Sequence, residues 1–187
     1  YPSEDFDIID RLSFEVEPGA FVSIIGVSGC GKSTIFRLTN RLLEPKGGRI
    51  FANGRPIGEQ KNYCGYMPQK DLLFPWRTIG ENLRLPLEIR GGFSREAGDA
   101  RIEAALADVG LSGCRDKYPG ELSGGMRQRA AFARTTLTDC PLLLLDEMCY
   151  HNINLSAAFF YARKRARRPP CNREASFCAQ KQIPGSL

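Results

Sequence analysis

The alternation of apolar and polar positions divides the first 147 residues into short strands and amphipathic helices. Residues 14–16 alternate as a half-buried strand does, Glu17-Pro18-Gly19 has the composition of a turn, and Phe21-Val22-Ser23-Ile24-Ile25 is a short apolar run leading into glycine. Ile35, Phe36, Leu38, Leu42 and Leu43 then recur at helical spacing, which predicts a helix over 32–43 closed by Glu44-Pro45-Lys46-Gly47-Gly48. Residues 49–54 and 63–67 read as two further strands. From 79 to about 117 the period turns helical, most clearly over 97–109, and predicts an inserted helical subdomain. A helix over 124–137 and an unbroken apolar strand over 141–147, ending in Asp146 and Glu147, complete the pattern.

A strand apolar on both faces belongs in the middle of a parallel sheet covered by helices. Acids at its C-terminal end lie where such sheets receive their ligands. The expected fold class is therefore α/β: a domain over 1–147 with an N-terminal antiparallel β part and a helical subdomain at about 78–122, then a different tail over 148–187.

Composition agrees with a packed domain, since 42% of the 187 residues are apolar. The net charge of +5 would suggest nucleic acid or an acidic membrane surface, but its distribution argues otherwise. From Met148 onward seven basic residues face Glu174 alone, whereas residues 1–147 hold 19 basic and 20 acidic groups. The cluster from Arg163 to Arg168 has no interleaved aromatics and no regular helical face, so it reads as a solvated, disordered or loosely docked tail, with no nucleic-acid partner. The seven cysteines show no C-x-x-C pair and only one histidine accompanies them, so they read as reduced thiols rather than a zinc site. No signal peptide and no apolar run near the roughly 18 residues of a membrane span is present, which suggests a soluble chain. The sequence begins at Tyr1 rather than methionine, and further N-terminal elements are expected upstream.

The chemistry concentrates in Gly26-Val27-Ser28-Gly29-Cys30-Gly31-Lys32-Ser33-Thr34, which satisfies G-x-x-x-x-G-K-[ST] between a strand and a helix. Glycines let consecutive backbone N–H groups turn toward phosphate oxygens, and the following helix offers its positive N-terminus. All nine residues are candidates for nucleotide contact. Lys32 is expected at the β and γ phosphates and the Ser33 hydroxyl on Mg²⁺. Asp146 would hold the same ion, directly or through water, and Glu147 would orient and polarise the attacking water.

Leu122-Ser123-Gly124-Gly125-Met126-Arg127-Gln128-Arg129 makes the pattern specific: residues 1–147 resemble an ATP-binding cassette (ABC) ATPase subunit, a P-loop NTPase fold. The resemblance implies ATP and Mg²⁺ as cofactors and a head-to-tail homodimer in which Ser123, Gly124 and Gly125 of one copy complete the γ-phosphate site of the other. It implies that Gln69, in Tyr66-Met67-Pro68-Gln69, senses Mg²⁺ and the γ phosphate, and that Tyr1 stacks on adenine. Residues 66–78 and Leu87-Glu88-Ile89-Arg90-Gly91 resemble bacterial importers of the nitrate, sulfonate and taurine group. Phe74, Pro75 and Trp76 would then face a membrane permease, with ordinary packing of an aromatic turn as the alternative. Such a subunit lies in the cytoplasm on the inner face of the cell membrane, and its solute is chosen by the permease and an extracytoplasmic binding protein. A DNA-repair or translation ATPase of the same superfamily is disfavoured, because residues 79–117 hold neither a long coiled coil nor a zinc module.

After Glu147 the resemblance ends. The family pattern calls for a proline at 148, a Ser/Gly-Ala-Leu-Asp loop and, some thirty residues on, a strand ending in Thr-His-Asp. Met148-Cys149-Tyr150-His151-Asn152-Ile153-Asn154 stands there instead. His151, four residues past Glu147, is too close to be the switch histidine and reads as a surface residue. A frame change or truncation near codon 147 is the expected origin of the tail, and a nucleotide-binding remnant without turnover is the alternative function. In the family's sheet the switch-histidine strand lies between the glycine-loop strand and the acidic strand. Residues 155–162 are the only tail segment apolar enough to replace it.

Overall fold

The computed structural model describes residues 9–10, 12–27, 29–92 and 94–146, together with the backbone of 156–162 and 177–180. Among the described residues two four-stranded sheets carry the fold. The smaller has the order β1 (Glu15–Val16), β8 (Phe177–Gln180), β3 (Arg49–Ala52), β4 (Arg55–Pro56), every neighbour antiparallel. β3 ends at Ala52, two residues short of the strand expected over 49–54. Asn53 and Gly54 form the hairpin turn between β3 and β4, with φ of 53° and 71°, as Asn-Gly readily does because both residues tolerate positive φ.

The larger sheet has the order β2 (Phe21–Gly26), β7 (Ser156–Ala162), β6 (Leu142–Asp146), β5 (Cys64–Met67). β5 and β6 are parallel, with Tyr66 opposite Leu144, whereas β7 runs antiparallel to both β2 and β6. The wholly parallel sheet expected around β6 is thus a mixed one. The cause is chain length. Only residues 147–155 join β6 to β7, and a parallel return needs a crossover of a dozen or so residues. Residues 156–162 of the apolar segment expected over 155–162 do fill the slot between the glycine-loop strand and the acidic strand, but in reverse.

The described residues hold four α-helices: α1 (Lys32–Thr39), α2 (Ile79–Arg90), α3 (Arg95–Asp108) and α4 (Gly124–Thr136). α1 stops four residues short of the expected end at Leu43. Arg41 enters the left-handed region at φ 64°, and the N–H groups of Leu42 and Leu43 turn back to the Arg37 carbonyl. That geometry ends a helix, and it leaves Leu42 and Leu43 largely exposed. The start of α2 is set by a capping box. The Glu81 N–H donates to Thr78 Oγ1 at 3.2 Å, and the Thr78 N–H donates to Glu81 Oε2 at 2.8 Å. Ser94 caps α3 and Ser123 caps α4 in the simpler one-bond way.

Alternation along β6 sorts the core into two layers. Leu142 and Leu144 face α1 and pack with Phe36, Val16, Ala52, Ile57 and Tyr63. Leu145 faces the other way, with Met67, and packs against the helical layer of Ile79, Leu83, Ile102, Leu106, Ala130 and Leu137. Each fully buried leucine, isoleucine or phenylalanine among these is worth about 1.5–3 kcal/mol of transfer free energy. At Gly65, β5 lies close against the end of α4 and the neighbouring strand β6. A Cβ there would lie 2.8 Å from Thr138 Oγ1 and 3.0 Å from Leu143 Cδ2, so a glycine lets the helix end and the sheet meet. Asp146 shares the face of Leu142 and Leu144 because strand side chains alternate, and this puts its carboxylate on the α1 side.

Candidate nucleotide-binding site

β2 delivers the chain into the glycine loop at Gly26 and α1 takes it up at Lys32. Gly29 at φ 84° and Gly31 at φ 98° occupy backbone conformations that L side chains rarely adopt. Gly31 is the N-cap of α1 and has no side chain to cap it, nor does an acid stand in the first turn. The N–H groups at the start of α1 thus keep their capacity for an outside acceptor, and the helix dipole favours an anion there.

Lys32 is 5% exposed and its ammonium folds over the loop. Nζ donates to the carbonyls of Gly26 at 2.8 Å and Val27 at 2.7 Å, and lies 3.6 Å from Cys30 Sγ. Those carbonyls hold the charge at the loop mouth, where a phosphate oxygen is the stronger partner. Val27 and Cys30 are exposed, and Ser33 and Thr34 are half-buried in the first turn of α1.

The Ser33 hydroxyl donates to Asp146 Oδ1 at 3.1 Å, across 113 residues of sequence. Asp146 is 5% exposed, and its other oxygen, Oδ2, accepts from the Tyr66 hydroxyl at 3.2 Å. Burial pushes the Tyr66 phenol up to about 12, reinforced by the Asp146 charge and the hydrogen bond to it. The phenol therefore stays protonated and donating at physiological pH. A hydroxyl and a carboxylate side by side are the hard oxygen donors that Mg²⁺ takes, usually one or two from protein with the rest from phosphates and water. Among the described residues no cluster of three or more His, Cys, Asp or Glu could hold a metal alone. Ser33 and Asp146 fit a nucleotide-bound Mg²⁺.

Gln69 lies in the exposed turn just past β5. The loop it opens is tied to α4. The Arg127 Nε donates to Asp71 Oδ2 at 3.1 Å, and the Arg134 guanidinium donates to the Leu72 carbonyl at 2.9 Å and the Asp71 carbonyl at 3.0 Å. Ser123, Gly124 and Gly125 form the start of α4, with the Met126 N–H donating to Ser123 Oγ at 3.3 Å. α4 packs on α2, α3 and β5, while α1 packs on β2, β6 and β7. The helix carrying the Ser-Gly-Gly segment thus covers the opposite face of the sheet from the helix that follows the glycine loop. Tyr1, Ser28, Glu147 and His151 lie outside the described residues.

The aromatic turn beyond Gln69 is exposed, with Phe74 at 39% and Trp76 at 70%. Their rings pack on each other with centroids 5.2 Å apart, and the Arg77 guanidinium sits over Phe74. Asn82 holds the turn from below. Fully buried, it accepts the Phe74 N–H through Oδ1 at 2.7 Å and donates through Nδ2 to the carbonyls of Phe74, Arg77 and Thr78.

Motif reading missed Tyr66, Asn82, Arg127 and Arg134 as parts of this site. Tyr66 had a legible signal, since alternation along 64–67 puts it two positions from Cys64 on one face of β5. The arginine contacts span about sixty residues and had none.

Residues 9–150 match a protein-family model described as ABC transporter. Among curated proteins, the formylaminopyrimidine import ATP-binding protein ThiZ of Halalkalibacterium halodurans is 50% identical over 147 residues, 78% of this chain and 55% of that protein. The aliphatic sulfonates import ATP-binding protein SsuB 2 of Agrobacterium fabrum is 43% identical over 141 residues, 75% of this chain and 52% of its own length. A solved dimeric structure of a post-hydrolysis state of the ATP-binding cassette MJ0796, bound to ADP and Pi, superposes with a TM-score of 0.59 at 29% identity, over 66% of this chain and 58% of the other. The chain spans about half the length of the curated relatives it matches.

Proposed function

Because this chain belongs to the ABC transporter family, we propose that residues 1–147 are the ATP-binding domain of an importer, with 148–187 an appended tail that docks onto it. The domain binds Mg²⁺-ATP through the glycine loop and couples its hydrolysis to uptake of a small solute of the nitrate, sulfonate or taurine kind. The observation that carries the reading is the Ser33–Asp146 hydrogen bond, which brings two separate motifs to one spot beside an uncapped helix start. The solute class is supported by the sulfonate import relative and by residues 66–78.

In this reading the loop N–H groups and Lys32 hold the phosphates, Ser33 and Asp146 hold Mg²⁺, and Gln69 and Glu147 align the attacking water. When bound, Mg²⁺ draws charge from the β and γ phosphate oxygens. Tyr1 covers the adenine. Placement of α4 on the far face of the sheet supports completion of the site in trans, with Ser123, Gly124 and Gly125 of a second copy meeting the γ phosphate. The exposed Phe74–Trp76 turn would receive a membrane permease, fed by an extracytoplasmic binding protein, and the chain would lie on the cytoplasmic side of the membrane. Among the described residues no helix is long and apolar enough to cross it.

A second reading, a nucleotide-binding remnant without turnover, rests on β7. That strand fills the slot of the family's switch strand, runs the opposite way, and contains neither histidine nor acid. ATP binding and steady-state phosphate release, measured on the purified chain, separate the two. Turnover abolished by Glu147→Gln supports the importer ATPase, binding without turnover supports the remnant, and loss of binding in Lys32→Ala is expected in both. A wild-type chain that does not bind ATP would refute both.

A further inference from the structure

Asp146 makes two hydrogen bonds through its carboxylate, and only one belongs to the nucleotide motifs. Oδ1 accepts from Ser33; Oδ2 accepts from Tyr66, 80 residues earlier in the chain. The Asp side chain has a broad, nearly two-fold preference about its last torsion, so a single anchor leaves the carboxylate plane free to turn. Two anchors on different oxygens set it.

Tyr66 reaches Asp146 through sheet register. β5 and β6 are parallel with Tyr66 beside Leu144, so the two side chains share the α1 face, and Asp146 is the next residue along β6 on that face. The phenol ring is held from the other side by Phe36, which meets it edge-on at 6.4 Å and 78° and is itself fully buried. Phe36 lies one turn beyond Lys32 and Ser33 on α1. The helix that presents the lysine and the serine thus also seats the tyrosine ring.

From this arrangement we infer that Tyr66 is a positioning residue for the magnesium pair. Its hydroxyl holds Asp146 Oδ2 and so sets the carboxylate plane in which Asp146 acts together with Ser33 on a divalent cation. The inference rests on the reading of Ser33 and Asp146 as Mg²⁺ ligands. Partners of this kind behind metal ligands raise metal affinity by fixing ligand orientation.

Tyr66→Phe removes the hydroxyl and keeps the ring against Phe36. The test titrates Mg²⁺ into the purified chain with a fluorescent trinitrophenyl analogue of ATP, alongside a parallel arm in EDTA. The Mg²⁺ concentration for half-maximal enhancement of binding should rise about tenfold, with affinity in EDTA unchanged, and Tyr66→Phe should add nothing in an Asp146→Asn background. The unchanged EDTA arm shows that the variant has folded. Equal Mg²⁺ dependence in wild type and variant overturns the inference, as does equal weakening in both arms. A wild-type chain that binds the analogue without responding to Mg²⁺ overturns the metal-pair reading, one that does not bind at all overturns the nucleotide-site reading, and in either case the inference falls with it.

Discussion

Arg134, in the last turns of α4, donates to the backbone carbonyl of Leu72, 62 residues earlier, at 2.9 Å. Leu72 is held there at φ 45° with its side chain largely exposed. A non-glycine residue in the left-handed region costs about 1–2 kcal/mol, and exposed leucine packing does not offset that. The guanidinium bonds to the Leu72 and Asp71 carbonyls do, at about 1.5–3 kcal/mol each for a charged donor. The loop that begins at Gln69 and the helix capped by Ser123 are therefore coupled.

Removing that coupling should show in stability and in exchange. Arg134→Ala is expected to cost about 2–4 kcal/mol in urea unfolding and to speed amide exchange over 71–73. Arg134→Lys should recover only part of it, since an ammonium lacks the planar fork that serves two carbonyls. An alanine variant as stable and as protected as wild type would show the contacts to be idle.

Gly31 should tolerate no side chain. Its φ of 98° places any Cβ-bearing residue under strain. Gly31→Ala is expected to lose about 1–2 kcal/mol of stability and to weaken nucleotide binding more than a matched Gly47→Ala, whose Cβ would meet open space. Comparable binding by the two variants would detach the loop conformation from its proposed role.

Stability should fall on the alkaline side. Burial pushes the Cys64 thiol up to about 12, a hydrogen bond from Tyr63 opposing it, and burial with the Asp146 charge pushes Tyr66 up to about 12. Tyr63 is raised as well, again by burial. In the unfolded chain these groups lose their protons at ordinary values near 9 to 10, while the folded chain keeps them. The folded state then binds more protons, so its stability is fully present below about pH 8 and declines as pH rises through about 9 to 12. Urea unfolding from pH 7 to 11 should trace this decline. A Cys64→Ser, Tyr66→Phe double variant should have a shallower alkaline slope.

Deleting residues 148–187 should unfold the domain. β7 pairs with β2 over 156–161 and with β6 over 158–162, and β8 bridges β1 and β3. Without them, strand edges that are now paired lose their partners, at about 1–3 kcal/mol per buried polar group left unsatisfied, an amount that rivals total domain stability. The 1–147 chain is expected to show no cooperative thermal transition and to aggregate through the exposed edges. A soluble, cooperatively folding 1–147 chain would contradict the paired tail.

Much of the candidate site is legible in the sequence. The glycine loop, Lys32, Ser33 and Asp146 stand out because motifs of the phosphate- and Mg²⁺-binding kind need particular residue types at fixed local spacing, and local spacing is what a sequence displays. Most strands and helices before residue 147 were legible for the same reason, through periods of two and of about 3.6, although the short β4 was not. Their ends were less so: Leu42 and Leu43 keep helical spacing past the point where Arg41 turns the chain. Residues 155–162 could be chosen for the central slot because apolar content is local, yet their direction depends on how far the chain can travel between β6 and β7.

Tertiary structure alone decided the rest. That Tyr66 reaches Asp146 follows from the register of two strands, that Arg134 reaches Leu72 follows from α4 lying over the end of β5, and that Asn82 binds the Phe74 turn follows from how α2 packs beneath it. Each joins residues whose separation along the chain bears no fixed relation to separation in space. The sequence by itself determined which groups could bind phosphate and metal. Packing determined which neighbours hold those groups in place.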